Sequence, residues 1–494
     1  MNPPPPPPPD LPADSETPLD AIPPTTGDVI AGDGDASRHL RAVFLTAGAA
    51  GMYCGSCMHD NALARTLRAR GLDCLLQPVY TPIRTDEPSV AGARVFFGGI
   101  HIYLLQRWPW LRRVPAPLRR WLDWPPLIRL ATRRVAATNP ARLAELTLSM
   151  LRGRQGRQAE EVARLVGWLR DDVRPHAVLL TNLLIGGVVP SIREALPQTR
   201  IVVILQGDDI FLDYLPEAAR GEAVRLCQQL AESVDCFVVN SRFYRDKMAE
   251  LFAIPHEKFT IVPLSIDAQP FADTAMPSVG PSVGPSPEHL AGLARSESEF
   301  RIGYLARVSP EKGLHHLVEA FLRLVSRPGH ESTTLHVAGW LGETHREYLG
   351  GLRRRVEAAG YGDRFVYHGS PSLAGKIAFL RSLDVLSVPT EYADPKGLFV
   401  LESLAAGVPV IQPGHGAFPE LIESTCGGLL FPPGDLDALC EAIDRLRANP
   451  QLRRELATAG RERLAQVHAI EAAAERMESL LRRGPAAFSS GSRR

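Results

Sequence analysis

The residues best suited to chemistry lie between Asp394 and Glu420, in the stretch DPKGLFVLESLAAGVPVIQPGHGAFPE. It holds an acid, a Pro-Lys-Gly turn, an apolar helix of about 398–406 with one carboxylate inside it, and a short β run at 408–411. Gly397 lets the backbone approach a ligand closely. The helix after it would aim free N–H groups and the positive end of its dipole at that ligand, and a diphosphate fits there. Gly407 reads as the left-handed cap that ends the helix. Glu402 is the odd residue, because every other position from Leu398 to Val410 is apolar, small or Ser403. Burying a carboxylate without a partner costs several kcal/mol. No Lys or Arg lies within a helical turn of Glu402, so its partner is either a pair of sugar hydroxyls or a distant Arg.

Other candidates are scattered. The chain has only five lysines, at 247, 258, 312, 376 and 396, among 55 basic residues, so a Lys inside a candidate site is informative. Gly51 and Gly55 in AGAAGMYCGSC would let a ligand approach the start of the following helix. Cys54-Gly55-Ser56-Cys57 is half of a zinc site at most. Zinc needs two further ligands at like spacing, and neither a second CxxC nor an HxxxH exists. His59 and His101 are loop or helix-start histidines that could act as bases or merely be solvated.

These residues have to be positioned by strands and helices that alternate. AVFLT, CLLQPVY, AVLLTNLL, RIVVILQ, DCFVVNS and KFTIVPLSID read as strands separated by helices. A second series starts with EFRIGYLARV and continues through TTLHVAGW, RFVYHGS and VLSVPT, with helices at about 311–326, 344–359, 371–382, 435–448 and 450–482. Such alternation implies parallel sheets with ligands at the carboxyl ends of the strands. The expected organisation is α/β: a disordered Pro-rich tail at 1–37, a Rossmann-like domain at 38–268, and a low-complexity linker at 269–298 containing SVGPSVGPSP. A second Rossmann-like domain follows at 299–460, then a last helix at 461–482 returning to the first domain and a loose tail at 483–494.

Composition narrows the classes. At 494 residues the chain needs two or three cores. A net charge of zero argues against a general nucleic-acid binder. Seven cysteines in a chain this long are not a disulfide framework and fit a reduced compartment. No run of 18 apolar residues appears, and the first 37 residues hold seven acids and no Lys or Arg, unlike a secretory signal. A cytoplasmic protein is expected. From Arg107 to Arg134 there are eight Arg, four Trp and one acid. That composition suits peripheral contact at the inner membrane face, but prolines at 109, 115, 117, 125 and 126 break any long amphipathic helix. The alternative is an excursion of the first domain over the cleft.

The sequence resembles the retaining, family-4-like glycosyltransferases of the GT-B fold, also described as glycosyl transferases group 1. Asp394 and Glu402 flank seven residues as in that family's paired-acid motif. Gly303-Tyr304-Leu305-Ala306-Arg307-Val308-Ser309-Pro310-Glu311-Lys312-Gly313 matches its strand–Arg–Lys-Gly element, and Asn240-Ser241 through Pro263-Leu264-Ser265-Ile266-Asp267-Ala268 matches the end of its first domain. The match spans about 40–480.

The resemblance implies two Rossmann-like domains facing a cleft. It implies transfer of a hexose from a UDP-, GDP- or ADP-sugar to a sugar or lipid-linked acceptor, with retention, no cofactor and no metal. Arg307 and Lys312 would bind the donor diphosphate, and Asp394 would contact the transferred sugar. Gly397 and Leu398 would present backbone N–H groups, Glu402 would hold the ribose hydroxyls, and Gly339 would line the donor pocket. The sequence departs from the family in three places. Asp394 stands where a Glu is usual, and Lys396 replaces an aromatic or apolar residue. Gln206-Gly207-Asp208-Asp209 replaces a strand-end His-Asp, which makes Asp209 the substitute candidate. Glu391 lies near the motif at the wrong spacing. A sugar phosphorylase or nucleotide-sugar epimerase on the same fold remains an alternative, as does a non-catalytic nucleotide-sugar-binding protein.

Overall fold

A computed structural model describes residues 40–48, 55–80, 89–91, 140–272 and 298–483. The Pro-rich segment 1–37, the Arg/Trp segment 107–134, nearly all of the linker 269–298, and 484–494 lie outside the described residues.

The first sheet comprises β1 (Arg41–Thr46), β2 (Asp73–Pro78), β3 (Ala177–Leu180), β4 (Arg200–Ile204), β5 (Cys236–Val239) and β6 (Phe259–Ile261), in the order β2-β1-β3-β4-β5-β6. The second comprises β7 (Phe300–Leu305), β8 (Thr333–Ala338), β9 (Phe365–Tyr367), β10 (Val385–Ser387), β11 (Val410–Pro413) and β12 (Gly428–Phe431), in the order β12-β11-β10-β7-β8-β9. Every pairing between these strands is parallel. Helices cover both faces, so the strands read as continuous apolar runs: Ala42 to Leu45 of β1 and Val202 to Val203 of β4 are wholly buried. This is a doubly wound α/β architecture used twice.

The strand orders fix where a ligand can sit. In each sheet the chain winds outward in both directions from one pair of neighbours, β1/β3 in the first and β7/β10 in the second. The loops after those strands diverge to opposite faces and leave a crevice at their carboxyl ends. Arg307 and Lys312 follow β7, and Asp394 to Glu402 follow β10.

Several elements differ from the sequence reading, among them the short helices Asp208–Asp213 and Phe418–Thr425, which were not expected. β12 was not expected, since GLLF is only four residues long and too short to show a period. The single helix expected over 450–482 is two, Pro450–Val467 and Ile470–Arg482. The break at His468 and Ala469 is stitched to the strand-like segment at Ile266: Ile266 N–H donates to His468 O at 3.0 Å and Ile470 N–H to Ile266 O at 3.0 Å. The His468 ring also meets Leu264 O through Nδ1 at 2.6 Å. Helical periodicity continues across the break, so the sequence pattern does not reveal it.

The helix Ile470–Arg482 packs on the first domain. Its Ile470, Ala473, Ala474, Met477, Leu480 and Leu481 share a buried cluster with β1, β2 and the helix Gly55–Ala69. The four large side chains each contribute roughly 1.5–3 kcal/mol by leaving water.

Candidate functional site

The loop after β7 makes a tight turn at Pro310–Lys312 and enters the helix Leu314–Val325 through Gly313, whose φ is +72°. A Cβ at Gly313 would lie 1.7 Å from the Pro389 carbonyl oxygen. Only glycine therefore lets the post-β7 loop press against the post-β10 loop. That approach brings Lys312 Nζ to 2.7 Å from Asp394 Oδ2, although 82 residues separate them. The Lys312 ammonium also lies 4.9 Å from the centre of the Tyr392 ring, within cation–π range.

Asp394 is 4% exposed and fully engaged. Its Oδ1 accepts the N–H groups of Lys396 at 3.0 Å and Gly397 at 3.3 Å, and its Oδ2 accepts the Tyr392 hydroxyl at 3.3 Å. Burial pushes its pKa up, but the Lys312 charge, the Lys312 hydrogen bond and the two backbone N–H groups outweigh this and hold it below the ordinary carboxylate value. Asp394 thus braces the start of the helix Leu398–Ala405, which Gly397 opens at φ +69°. The Gly397 N–H, expected to face a phosphate, is directed to Asp394 in this arrangement.

The partner of Glu402 is a lysine. Lys376, on the helix Leu373–Arg381, donates from Nζ to Glu402 Oε1 at 2.7 Å. Both side chains are 11% exposed. The distant Arg considered from sequence is replaced by a distant Lys, and the pair still faces the crevice. Arg307 is more open and pairs with Glu311 at 2.6 Å.

Arg307, Lys312, Gly339, Asp394, Gly397, Leu398 and Glu402 all line one cavity of about 620 Å³. Three of the chain's five lysines, Lys312, Lys376 and Lys396, line it too. With Arg307, the cavity lining holds four cationic side chains against the two carboxylates of Asp394 and Glu402.

The opposite wall comes from the first domain: Gly55, Ser56, Gln206, Gly207, Phe211 and Tyr214. Lys396 spans the cleft, donating to Ser56 Oγ at 2.6 Å and to Gln206 Oε1. Gln206 Nε2 in turn donates to Asp60 Oδ1 at 3.0 Å and to Thr181 O at 3.0 Å. A second bridge sits nearby, where Glu420 accepts the N–H groups of Arg242 at 3.0 Å and Phe243 at 2.7 Å. A carboxylate of the second domain thereby meets the first turn of a first-domain helix, Arg242–Phe252, whose Ser241 cap accepts Tyr244 N–H at 3.1 Å.

The position given to Asp209 from sequence needs correction. Its carboxylate is turned into the first domain, where it accepts the Tyr244 hydroxyl at 2.8 Å and Lys247 Nζ at 2.5 Å. It does not line the cavity. Asp208 is also structural, accepting Leu183 N–H at 2.6 Å and Gln206 N–H at 3.1 Å, and burial raises its pKa to about 6. Gln206 is the residue of this loop that faces the cleft. Sequence reasoning could not separate the four residues, because Gly207 at φ +113° turns the chain between Gln206 and the two acids.

His59 is 8% exposed, with Nε2 3.2 Å from Ser265 Oγ. Burial, aided by the Lys396 charge, lowers its pKa to about 3, so it is neutral. Gly51, Cys54 and His101 lie outside the described residues.

Two doubly wound sheets enclosing a cation-rich crevice at their switch points define the GT-B architecture, and solved structures agree. Sucrose-phosphate synthase from Thermosynechococcus elongatus superposes with a TM-score of 0.61 at 19% identity, covering 90% of this chain and 98% of that one. Anabaena HepE in complex with UDP also gives 0.61, at 16% identity, covering 90% and 99%.

Residues 286–463, a span that contains the second sheet, match the family described as glycosyl transferases group 1. Glycogen synthase from Mycobacterium tuberculosis is 29% identical over 48% of this chain and 51% of its own length. D-inositol 3-phosphate glycosyltransferase from Actinosynnema mirum is 27% identical over 47% and 53%. The chain thus matches about half the length of these curated relatives. Among the described residues no helix is long and apolar enough to cross a membrane.

Proposed function

We propose that the protein is a glycosyltransferase that moves a hexose from a nucleotide-diphosphate sugar to an acceptor held by the first domain, with retention and without a metal. The observation that carries this reading is the shared cavity, which collects Arg307, Lys312, Asp394 and Glu402 from the two loop systems of the second sheet's switch point. Its volume of about 620 Å³ is in the range of small-molecule sites.

In this reading the diphosphate takes the place of the Asp394 and Glu311 carboxylates as partner of Lys312 and Arg307. The two cations then stabilise the charge that grows on the departing nucleotide as the anomeric bond breaks. Glu402 keeps one oxygen on Lys376 and offers the other to the ribose hydroxyls. Gln206 carries an amide, which takes no proton near neutral pH, and His59 is buried. We assign the acceptor proton to an oxygen of the leaving diphosphate, on the same face of the sugar, as the family resemblance implies. The acceptor is a sugar or a lipid-linked molecule. Peripheral membrane contact through 107–134 would suit a lipid-linked one, and sedimentation with anionic liposomes tests it.

Thermal-shift and calorimetric titration with UDP-glucose, GDP-mannose and ADP-glucose tests the reading. One of them should raise the melting temperature, because a ligand that binds only the folded state stabilises it. UDP-glucose heads the panel because a solved structure of HepE holds it. Binding by none would overturn the reading. Product analysis separates transfer from phosphorolysis or epimerisation, and binding without turnover would favour a non-catalytic protein.

A further inference from the structure

We propose that His315, His316 and Glu391 form a second site, outside the donor cavity, for a divalent transition ion of the zinc, cobalt or nickel kind. His315 Nε2 lies 3.1 Å from Glu391 Oε1, and His316 Nε2 lies 3.5 Å from the same oxygen. The three ligand atoms lie within 4.8 Å of one another. Bonds of about 2.1 Å in a tetrahedron set ligand atoms about 3.4 Å apart, and the two observed separations bracket that value. Two imidazoles and one carboxylate select borderline ions; magnesium and calcium prefer all-oxygen sets.

The surroundings fit the assignment. Tyr348 OH lies 2.9 Å from His315 Nδ1, which fixes the ring and leaves Nε2 to face Glu391, as outer-shell partners of metal-bound histidines do. Glu391 is anchored by its own N–H, which donates to Glu311 O at 3.1 Å. Beside the cluster a cavity of about 320 Å³, lined by His316, Thr390 and Glu391, has room for the water ligands that complete the coordination.

None of the three residues lines the donor cavity. The ion takes no part in bond breaking. It ties the helix Leu314–Val325, which follows Lys312, to the loop that carries Asp394, and so adds stability at that junction while transfer proceeds without it. The site does not depend on the proposed transfer reaction.

The test uses the full chain, stripped with chelator, freed of any purification tag and titrated with cobalt chloride while d–d absorption is recorded. Zinc chloride is titrated in parallel by calorimetry. One ion per chain is expected, with affinity reduced about tenfold or more in His316→Ala and in Glu391→Ala. Zinc should raise the melting temperature of the parent and not of either variant. Absence of saturable cobalt binding would overturn the site, as would equal binding by parent and variants. Either result would show that Glu391 merely accepts hydrogen bonds from two imidazoles.

Discussion

Glu402 and Lys376 form a pair whose two jobs can be separated. Removing one partner of a buried pair leaves the other charge uncompensated, at about 3–5 kcal/mol when burial is complete. Glu402→Ala should therefore lower both the melting temperature and nucleotide-sugar affinity. Adding Lys376→Met should restore the melting temperature but not the affinity; recovery of both in calorimetry would remove the ribose role. In the proposed reaction Arg307 and Lys312 would act on developing charge instead. Their double alanine variant should lose at least about 10²-fold in kcat, the scale of one lost oxyanion donor, while the parent keeps its transfer activity in EDTA. Retained turnover in the variant would displace the pair from the mechanism. Asp394 has a structural job beside any contact with sugar, so Asp394→Asn should weaken the hold on Lys312 as well as lower transfer.

The helix Gly55–Ala69 carries a pH signature through His59. Its folded pKa of about 3 lies below the ordinary histidine value of 6.5, so between those values the unfolded chain takes up a proton that the folded chain refuses. Stability is then full above about pH 6.5 and falls as the pH drops, by about 1.4 kcal/mol per pH unit at most for one group. His336, lowered to about 4 by burial and by Arg301, acts in the same direction. Asp208, raised to about 6, opposes both, since the folded chain holds its proton there longer than the unfolded one. Urea unfolding of parent and His59→Gln at pH 7 and pH 5 isolates the His59 contribution: the variant should lose less stability on acidification, and an equal loss would sink the assignment. At the second sheet, Gly313→Ala adds a Cβ that would meet the Pro389 carbonyl. Backbone strain of about 1–3 kcal/mol is expected with it, together with lower donor affinity as Lys312 is displaced from its place in the cavity.

The whole molecule is held together across the cleft by Lys396, by Glu420 and by the last helix. Truncation before Ile470 should expose the apolar surface shared with β1 and the helix Gly55–Ala69. The expected outcome is an earlier melting transition of the first domain, seen by calorimetric scanning, with the second domain's transition little changed. A single unchanged transition would mean that the helix contributes nothing to the first domain.

The sequence by itself determined two alternating β/α series, the cation and acid positions of the second domain, and the glycine-opened helix after Asp394. These are local properties: strand and helix periods, caps and turn residues within a few positions of one another. What only the tertiary structure decided lies across long separations. Lys376 reaches Glu402 from 26 residues away, and Lys396 reaches Gln206 from 190. Asp209 turns inward to Lys247. His315, His316 and Glu391 meet because Gly313 lets two loops touch. Periodicity records which face of an element is buried. It does not record which charge on another element waits there, and the partners of Glu402, Lys396 and Glu391 are set by the strand order β10-β7 and by the closing of two domains.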